Sequence, residues 1–120
     1  MKSYAFSILF RSPEAVSLYR DLHNSVWPEL KSALRHVGVR SMQIFHMPPL
    51  ELFMYIEATD AFEADRDFKD YVLFSEKARE WDETCGALVQ RLPAHAGITE
   101  WAPMKKLYAY DRRPHRTDFI

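Results

Sequence analysis

The fold of this chain follows from the stretch VRSMQIFHMPPLELFMYIEA, residues 39–58, which contains two largely apolar runs. The runs Val39 to His46 and Leu50 to Ala58 carry the branched, aromatic and other apolar side chains that are typical of β-strands. The segment His46 to Pro49 turns the chain between them. Because this connection is short, the stretch predicts two adjacent strands that pair as a hairpin.

The residues before this stretch predict one strand and one interrupted helix. Tyr4 to Arg11 is a short run with the composition of a strand. Ser12, followed by Pro13 and an acidic residue, is a typical helix start, with the serine as N-cap and proline in the first turn. Trp27 and Pro28 interrupt the helix, which resumes and ends at Gly38, a natural C-cap.

The residues after the hairpin predict further helical segments and a last strand. Thr59-Asp60 can cap a segment containing Phe62, and a longer helix is expected over Phe74 to Leu92, where Pro93 stops it. Residues 95–97 are expected to form a loop. The last strand is expected at Trp101 and from Met104 to Tyr108.

The element order is therefore β-α-β-β-α-β, which predicts an α+β domain of the ferredoxin-like type. The middle connection is a hairpin, so the sheet should be antiparallel, with the helices on one face. Three strands are apolar on both faces, and the uncovered face therefore needs burial too. A second copy of the sheet would supply it, giving a homodimer in the form of a dimeric α+β barrel. The alternative is a monomer with a somewhat apolar open face.

The composition places the chain among ordinary single-domain proteins. It has 120 residues, 48% of them hydrophobic and 28% charged. We expect one domain over residues 1–110 and a polar tail over 111–120. The net charge of −1, with scattered Lys and Arg, argues against nucleic-acid binding, and no apolar run approaches the roughly 20 residues of a membrane span. The single cysteine, Cys85, suits a reducing compartment, so we expect a cytoplasmic protein.

The first candidate for chemistry is the pair Tyr19 and His23. The two residues are four positions apart in a helical segment, so their side chains share one face. Pro28 disturbs the backbone close by. A single histidine on an apolar helix face is more often a core residue than a catalyst. A second proton-carrying group one turn away makes a catalytic role more plausible for His23. Histidine can give or take a proton near neutral pH, which suits general acid–base catalysis.

The second candidate is Trp81-Asp82. An aromatic plate can pack on the C–H surface of a sugar ring, and a carboxylate beside it can accept hydrogen bonds from sugar hydroxyls. In most small domains, however, a tryptophan is a core residue. The five histidines show none of the short spacings of metal sites, and with three glycines there is no nucleotide-binding loop. We therefore expect neither a metal nor a cofactor.

The string YRDLHNSVWPEL, residues 19–30, resembles the L-rhamnose mutarotase family, which consists of small dimeric ferredoxin-like sugar epimerases. The resemblance extends over about residues 4–110, and its most specific part is Tyr-x-x-x-His-Asn-x-x-Trp-Pro-Glu-Leu. It implies that His23 is the proton donor and that Tyr19 binds substrate. The family also contacts the sugar through a tyrosine early in the second strand and through paired tryptophans in the second helix. Met42 and Trp81-Asp82 stand at those positions here, so part of the sugar-binding surface has changed.

The resemblance implies interconversion of the α and β anomers of a 6-deoxy-L-hexose. L-rhamnose is the first choice, and L-fucose is a close second. His23 would supply one proton transfer, and Tyr19 or Asp82 would orient the sugar or take the other proton. The alternatives are a cofactor-free or haem-handling monooxygenase of the dimeric barrel type, and a binding or stress-response barrel without catalysis.

Overall fold

The computed structural model describes residues 1–89 and 101–110, which contain four strands and four α-helices. The strands are β1 (Lys2–Leu9), β2 (Val39–Met47), β3 (Glu51–Ala58) and β4 (Ala102–Pro103). The helices are α1 (Pro13–Leu22), α2 (Pro28–Val37), α3 (Ala64–Leu73) and α4 (Glu76–Gly86), and a 3-10 turn (His23–Ser25) separates α1 from α2.

The four strands form one antiparallel sheet in the order β2-β3-β1-β4. The predicted hairpin is confirmed, since β2 and β3 pair along their length with Ile44 opposite Met54. The first strand, β1, pairs with the other edge of β3, with Phe6 opposite Met54. This is the strand order of the ferredoxin-like fold, and the predicted fold class is confirmed.

Burial alternates along the strands and separates the two faces of the sheet. The helix-covered face carries side chains that are almost fully buried: Phe6, Ile8, Leu52, Met54 and Ile56. The opposite face carries Phe53 and Tyr55, which are half-buried, and Phe45, which is 55% exposed. Because side chains of neighbouring strand residues point to opposite faces, one sheet presents two distinct surfaces.

The predicted start and end of the first helical region are confirmed. The hydroxyl of Ser12 accepts a hydrogen bond from the backbone N–H of Ala15 at 3.1 Å and caps α1. The second helix begins at Pro28 and ends at Val37, and its C-cap is Gly38, whose φ of 99° lies in the left-handed region. A Cβ at Gly38 would lie 2.7 Å from the side-chain oxygen of Thr59, so a glycine is needed there on two grounds.

The predicted helical segment containing Phe62 is wrong, because α3 begins two residues later. Phe62 is 1% exposed and lies among aromatic neighbours before the helix. The carboxylate of Asp67 accepts a hydrogen bond from the backbone N–H of Glu63 at 2.7 Å and so fixes the start of α3 from inside the first turn. The Arg66 guanidinium, which donates to the same carboxylate, is the largest cause of a lowered pKa of Asp67.

The predicted helix Phe74 to Leu92 is also wrong at both ends. Helix α4 begins at Glu76, because the Ser75 hydroxyl accepts a hydrogen bond from the Ala78 N–H at 3.1 Å. The helix ends at Gly86, well before Pro93, and Pro93 itself lies outside the described residues.

The predicted positions of the last strand, Trp101 and Met104 to Tyr108, are wrong, although a short strand forms between them. It consists of Ala102–Pro103, and residues 104–110 form no regular structure. Pro103 has no N–H to continue the ladder with β1, although the Met104 N–H still donates to the Ala5 carbonyl at 2.8 Å. The expected loop at 95–97 and the tail 111–120 lie outside the described residues. Within the described ranges, no helix has the length and hydropathy needed to cross a membrane.

Candidate active site

A cavity of about 390 Å³ lies between the helices and the helix-covered face of the sheet. Its walls are mainly apolar, which is typical of pockets that bind small molecules. All five residues singled out by sequence line it, namely Tyr19, His23, Met42, Trp81 and Asp82. Residues more than sixty positions apart in the sequence therefore meet at one cavity.

The interruption between α1 and α2 sets the position of His23. Helix α1 ends at Leu22, and His23 opens the 3-10 turn that leads to Pro28. The His23 Nδ1 lies 2.8 Å from the carbonyl oxygen of Tyr19. A carbonyl can only accept a hydrogen bond, so Nδ1 carries the hydrogen and donates it. Nε2 is therefore the ring nitrogen that can exchange a proton with a molecule in the cavity.

Aromatic contacts hold the imidazole in place. The ring centroid of His23 lies 4.3 Å from that of Tyr19 and 5.2 Å from that of Trp81, which it meets edge to face. Trp81 in turn meets Trp27 edge to face at 5.5 Å, and the ammonium of Lys77 lies 4.8 Å from the Trp27 ring centroid. The imidazole is thus fixed by contacts to both sides as well as by its hydrogen bond.

Tyr19 lies deep in the same site. It is 7% exposed and packs edge to face against Phe10, with ring centroids 4.8 Å apart. Burial is the main cause of a strongly raised pKa of the phenol, and Cys85 and Tyr71 raise it further. Tyr19 therefore keeps its proton at physiological pH and can act as a hydrogen-bond donor, while it is a poor base.

Sequence reasoning did not place Lys31, Tyr71 or Cys85 in the site, although all three line the cavity. Burial raises the pKa of the Cys85 thiol to about 12, with Asp82 as the second cause, so the thiol stays protonated and unreactive. Cys85 follows Asp82 by three positions on α4, and helical spacing could have revealed that they share a face. Tyr71 belongs to α3, which the sequence reading did not place, so no local signal pointed to it.

Metal binding has no structural basis in the described part of the chain. Residues 1–89 and 101–110 contain no group of three or more His, Cys, Asp or Glu side chains that could hold a metal ion.

Comparison with known proteins identifies the family. A family model described as L-rhamnose mutarotase matches residues 3–110. The chain belongs to the L-rhamnose mutarotase family. It is similar to a UPF0734 protein of Dictyostelium discoideum, with 34% identity over 114 residues that cover 92% of this chain and 90% of the relative.

Two solved structures share the fold. The first is the crystal structure of an L-rhamnose mutarotase from Formosa agariphila, with a TM-score of 0.67 and 19% identity, covering 92% of this chain and 100% of the other. The second is a dimeric ferredoxin-like protein from an uncultured marine organism, with a TM-score of 0.54 and 12% identity, covering 91% of each chain. At these identities the likeness shows the fold alone, while the family model shows membership.

Proposed function

We propose that this protein is a cofactor-free mutarotase that interconverts the α and β anomers of a 6-deoxy-L-hexose, with L-rhamnose as first choice and L-fucose as close second. One observation carries the proposal. His23 lines an apolar cavity with its Nδ1 hydrogen donated to a backbone carbonyl, so Nε2 is left for proton transfer, and Tyr19, Trp81 and Asp82 line the same cavity. Family membership supports the reaction type.

The chemistry requires one acid and one base. A pyranose opens when its ring oxygen gains a proton and its anomeric hydroxyl loses one; rotation about the C1–C2 bond and closure then give the other anomer. In the proposal, the protonated His23 donates from Nε2 to the ring oxygen. Tyr19 keeps its proton and orients the sugar, so Asp82 is the group that takes the proton of the anomeric hydroxyl.

The composition of the cavity supports a deoxy sugar. Met42 and Ile44 contribute apolar wall from β2, and Trp81 contributes an aromatic plate from α4. A methyl group at C5 loses no hydrogen bond when it is placed against such a wall, whereas a hydroxymethyl group leaves a hydroxyl to be satisfied. The cavity should therefore favour a 6-deoxy sugar over its 6-hydroxy counterpart.

The test is an anomer-exchange panel measured by saturation-transfer NMR. We expect the protein to accelerate exchange of L-rhamnose or L-fucose, and to act more weakly on L-mannose and L-galactose, which differ from them only by the hydroxyl at C6. Each sugar without protein provides the uncatalysed rate. Acceleration of none of the four sugars would contradict the proposed function, and equal acceleration of both members of a pair would contradict the apolar recognition of C6.

We also propose that the chain forms a homodimer in which a second copy covers the open sheet face. We place this homodimer in the cytoplasm. Phe45 and Met47 are more than half exposed on this face, and Leu107 and Tyr108 of the adjoining segment are 89% and 80% exposed. One solved structure of the same fold is described as dimeric.

We expect sedimentation of the intact chain to give the mass of two copies. The Phe45→Glu variant should give the mass of one copy, because the interface would bury an unpaired carboxylate. A monomeric parent chain would overturn this proposal.

A further inference from the structure

Tyr71 on α3 lines the cavity but has no part in the chemistry proposed above. Its ring packs against the core cluster that contains Phe6, Met54 and Phe68, whereas Tyr19 belongs to the neighbouring cluster with Ile8 and Phe10. The cavity is lined by residues of both clusters. Tyr71 therefore presents its phenol to the cavity from a different wall than the pair Tyr19 and His23.

The hydroxyl of Tyr71 has no hydrogen-bond partner among the described residues, although its side chain is largely buried. Tyr4 is the contrasting case, since its hydroxyl donates to the backbone carbonyl of Phe62 at 3.1 Å and serves the fold. Burial is the main cause of a raised pKa of Tyr71, and Asp82 and Cys85 raise it further. The phenol thus keeps its proton and stands near the carboxylate of Asp82.

The cavity wall is mainly apolar, so each polar group in it has a large effect on which sugar can bind. The strand wall offers thioether and hydrocarbon side chains, including Met42, Ile44 and Met54. A sugar carries several hydroxyls, and a buried hydroxyl without a partner costs about 1–3 kcal/mol. A small number of placed polar groups therefore decides which sugar such an apolar pocket accepts.

We propose that Tyr71 is a specificity-determining residue whose hydroxyl hydrogen-bonds a ring hydroxyl of the bound sugar at C2, C3 or C4, away from the reacting C1. This inference rests on the proposed mutarotase function. The phenol can both donate to and accept from a sugar hydroxyl, which a methionine at position 42 cannot do. Because the contact lies away from C1, it acts on sugar binding rather than on the proton transfers.

The experiment compares Tyr71→Phe with the parent chain and with Tyr4→Phe. We expect Tyr71→Phe to raise KM for the preferred sugar roughly three- to tenfold, the effect of one hydrogen bond, with kcat within about twofold. Its urea midpoint should be unchanged or higher, because the hydroxyl that is removed has no partner in the described structure. Tyr4→Phe should show the reverse, with a lowered midpoint and the parent KM.

A deoxy series locates the contact and sharpens the test. KM is measured for the 2-, 3- and 4-deoxy analogues of the preferred sugar with the parent chain and with Tyr71→Phe. The analogue that lacks the contacted hydroxyl should have the same KM in both proteins, while the other analogues should keep the three- to tenfold difference. Equal KM values for every sugar in the two proteins would overturn the inference and leave the mutarotase function intact.

Binding provides an independent measurement, because Trp81 lines the cavity and its fluorescence is expected to change when a sugar binds. Weaker binding by Tyr71→Phe in the inactive His23→Ala background supports the inference without any turnover. If the parent chain neither turns over nor binds any sugar of the panel, the proposed function and this inference both fail. A KM rise accompanied by an equal loss of urea stability would show a structural role and would also overturn the inference.

Discussion

His23→Ala is expected to lower kcat for anomer exchange by about 10²- to 10⁴-fold, the usual contribution of a positioned acid or base. The substitution removes Nε2, the ring nitrogen left for proton transfer. It also removes the hydrogen bond from Nδ1 to the Tyr19 carbonyl, but that carbonyl still accepts a hydrogen bond from the backbone N–H of residue 23. Saturation-transfer NMR at several sugar concentrations separates kcat from KM.

The matched control is His36→Ala. His36 is an exposed histidine near the end of α2 that packs on Phe74 outside the cavity, so its loss should leave kcat unchanged. Urea unfolding of both variants shows whether the parent fold is retained. A His23→Ala variant that retains full anomer exchange would exclude His23 as the proton donor.

Phe62→Ala is expected to lower the free energy of unfolding by about 3–5 kcal/mol, the typical cost of emptying an aromatic core position. Phe62 is 1% exposed and meets Tyr4 and Phe68 edge to face, with ring centroids 5.4 Å and 5.6 Å apart. A domain of this kind is stable by roughly 5–15 kcal/mol, so the loss is a large share of the total. Phe62 does not line the cavity, and the folded fraction should keep the parent kcat.

Urea titration followed by tryptophan fluorescence measures this loss. Leu73→Ala on α3 is the control, because Leu73 is 79% exposed and should change the unfolding free energy by no more than about 0.5 kcal/mol. A Phe62→Ala loss as small as that of Leu73→Ala would contradict the packing of this core cluster.

The parts of the fold that sequence reasoning found are those encoded within a few residues. Ser12 caps a backbone N–H three positions later, and the C-cap at Gly38 depends on its own φ. Ser75 caps α4 in the same way as Ser12 caps α1, and its signal was present but overlooked. The start of α3 was missed for a different reason, since it depends on the reach of Asp67 back to Glu63 and on the burial of Phe62.

In the candidate site, too, sequence reasoning found what local spacing encodes and missed what depends on tertiary packing. Tyr19 and His23 are one turn apart, and helical periodicity was sufficient to place them together. Tyr71 and Asp82 influence each other from two different helices, and their approach depends on how α3 packs against α4. No spacing rule encodes that packing, so Tyr71 became visible only in the folded chain.

Side chains of the central hairpin alternate between the cavity and the open sheet face, so one segment contributes to both surfaces. On β2, Met42 and Ile44 line the cavity, while Phe45 lies on the open face. Point substitutions can therefore tune either surface separately, because neighbouring positions belong to different surfaces. A single-residue insertion inside β2 has the opposite effect: it inverts every side chain beyond it, so that pocket residues and contact residues exchange places. The extra residue that β2 already holds lies at the bulge between Val39 and Ser41, before the first cavity residue Met42, so both surfaces keep their register beyond it.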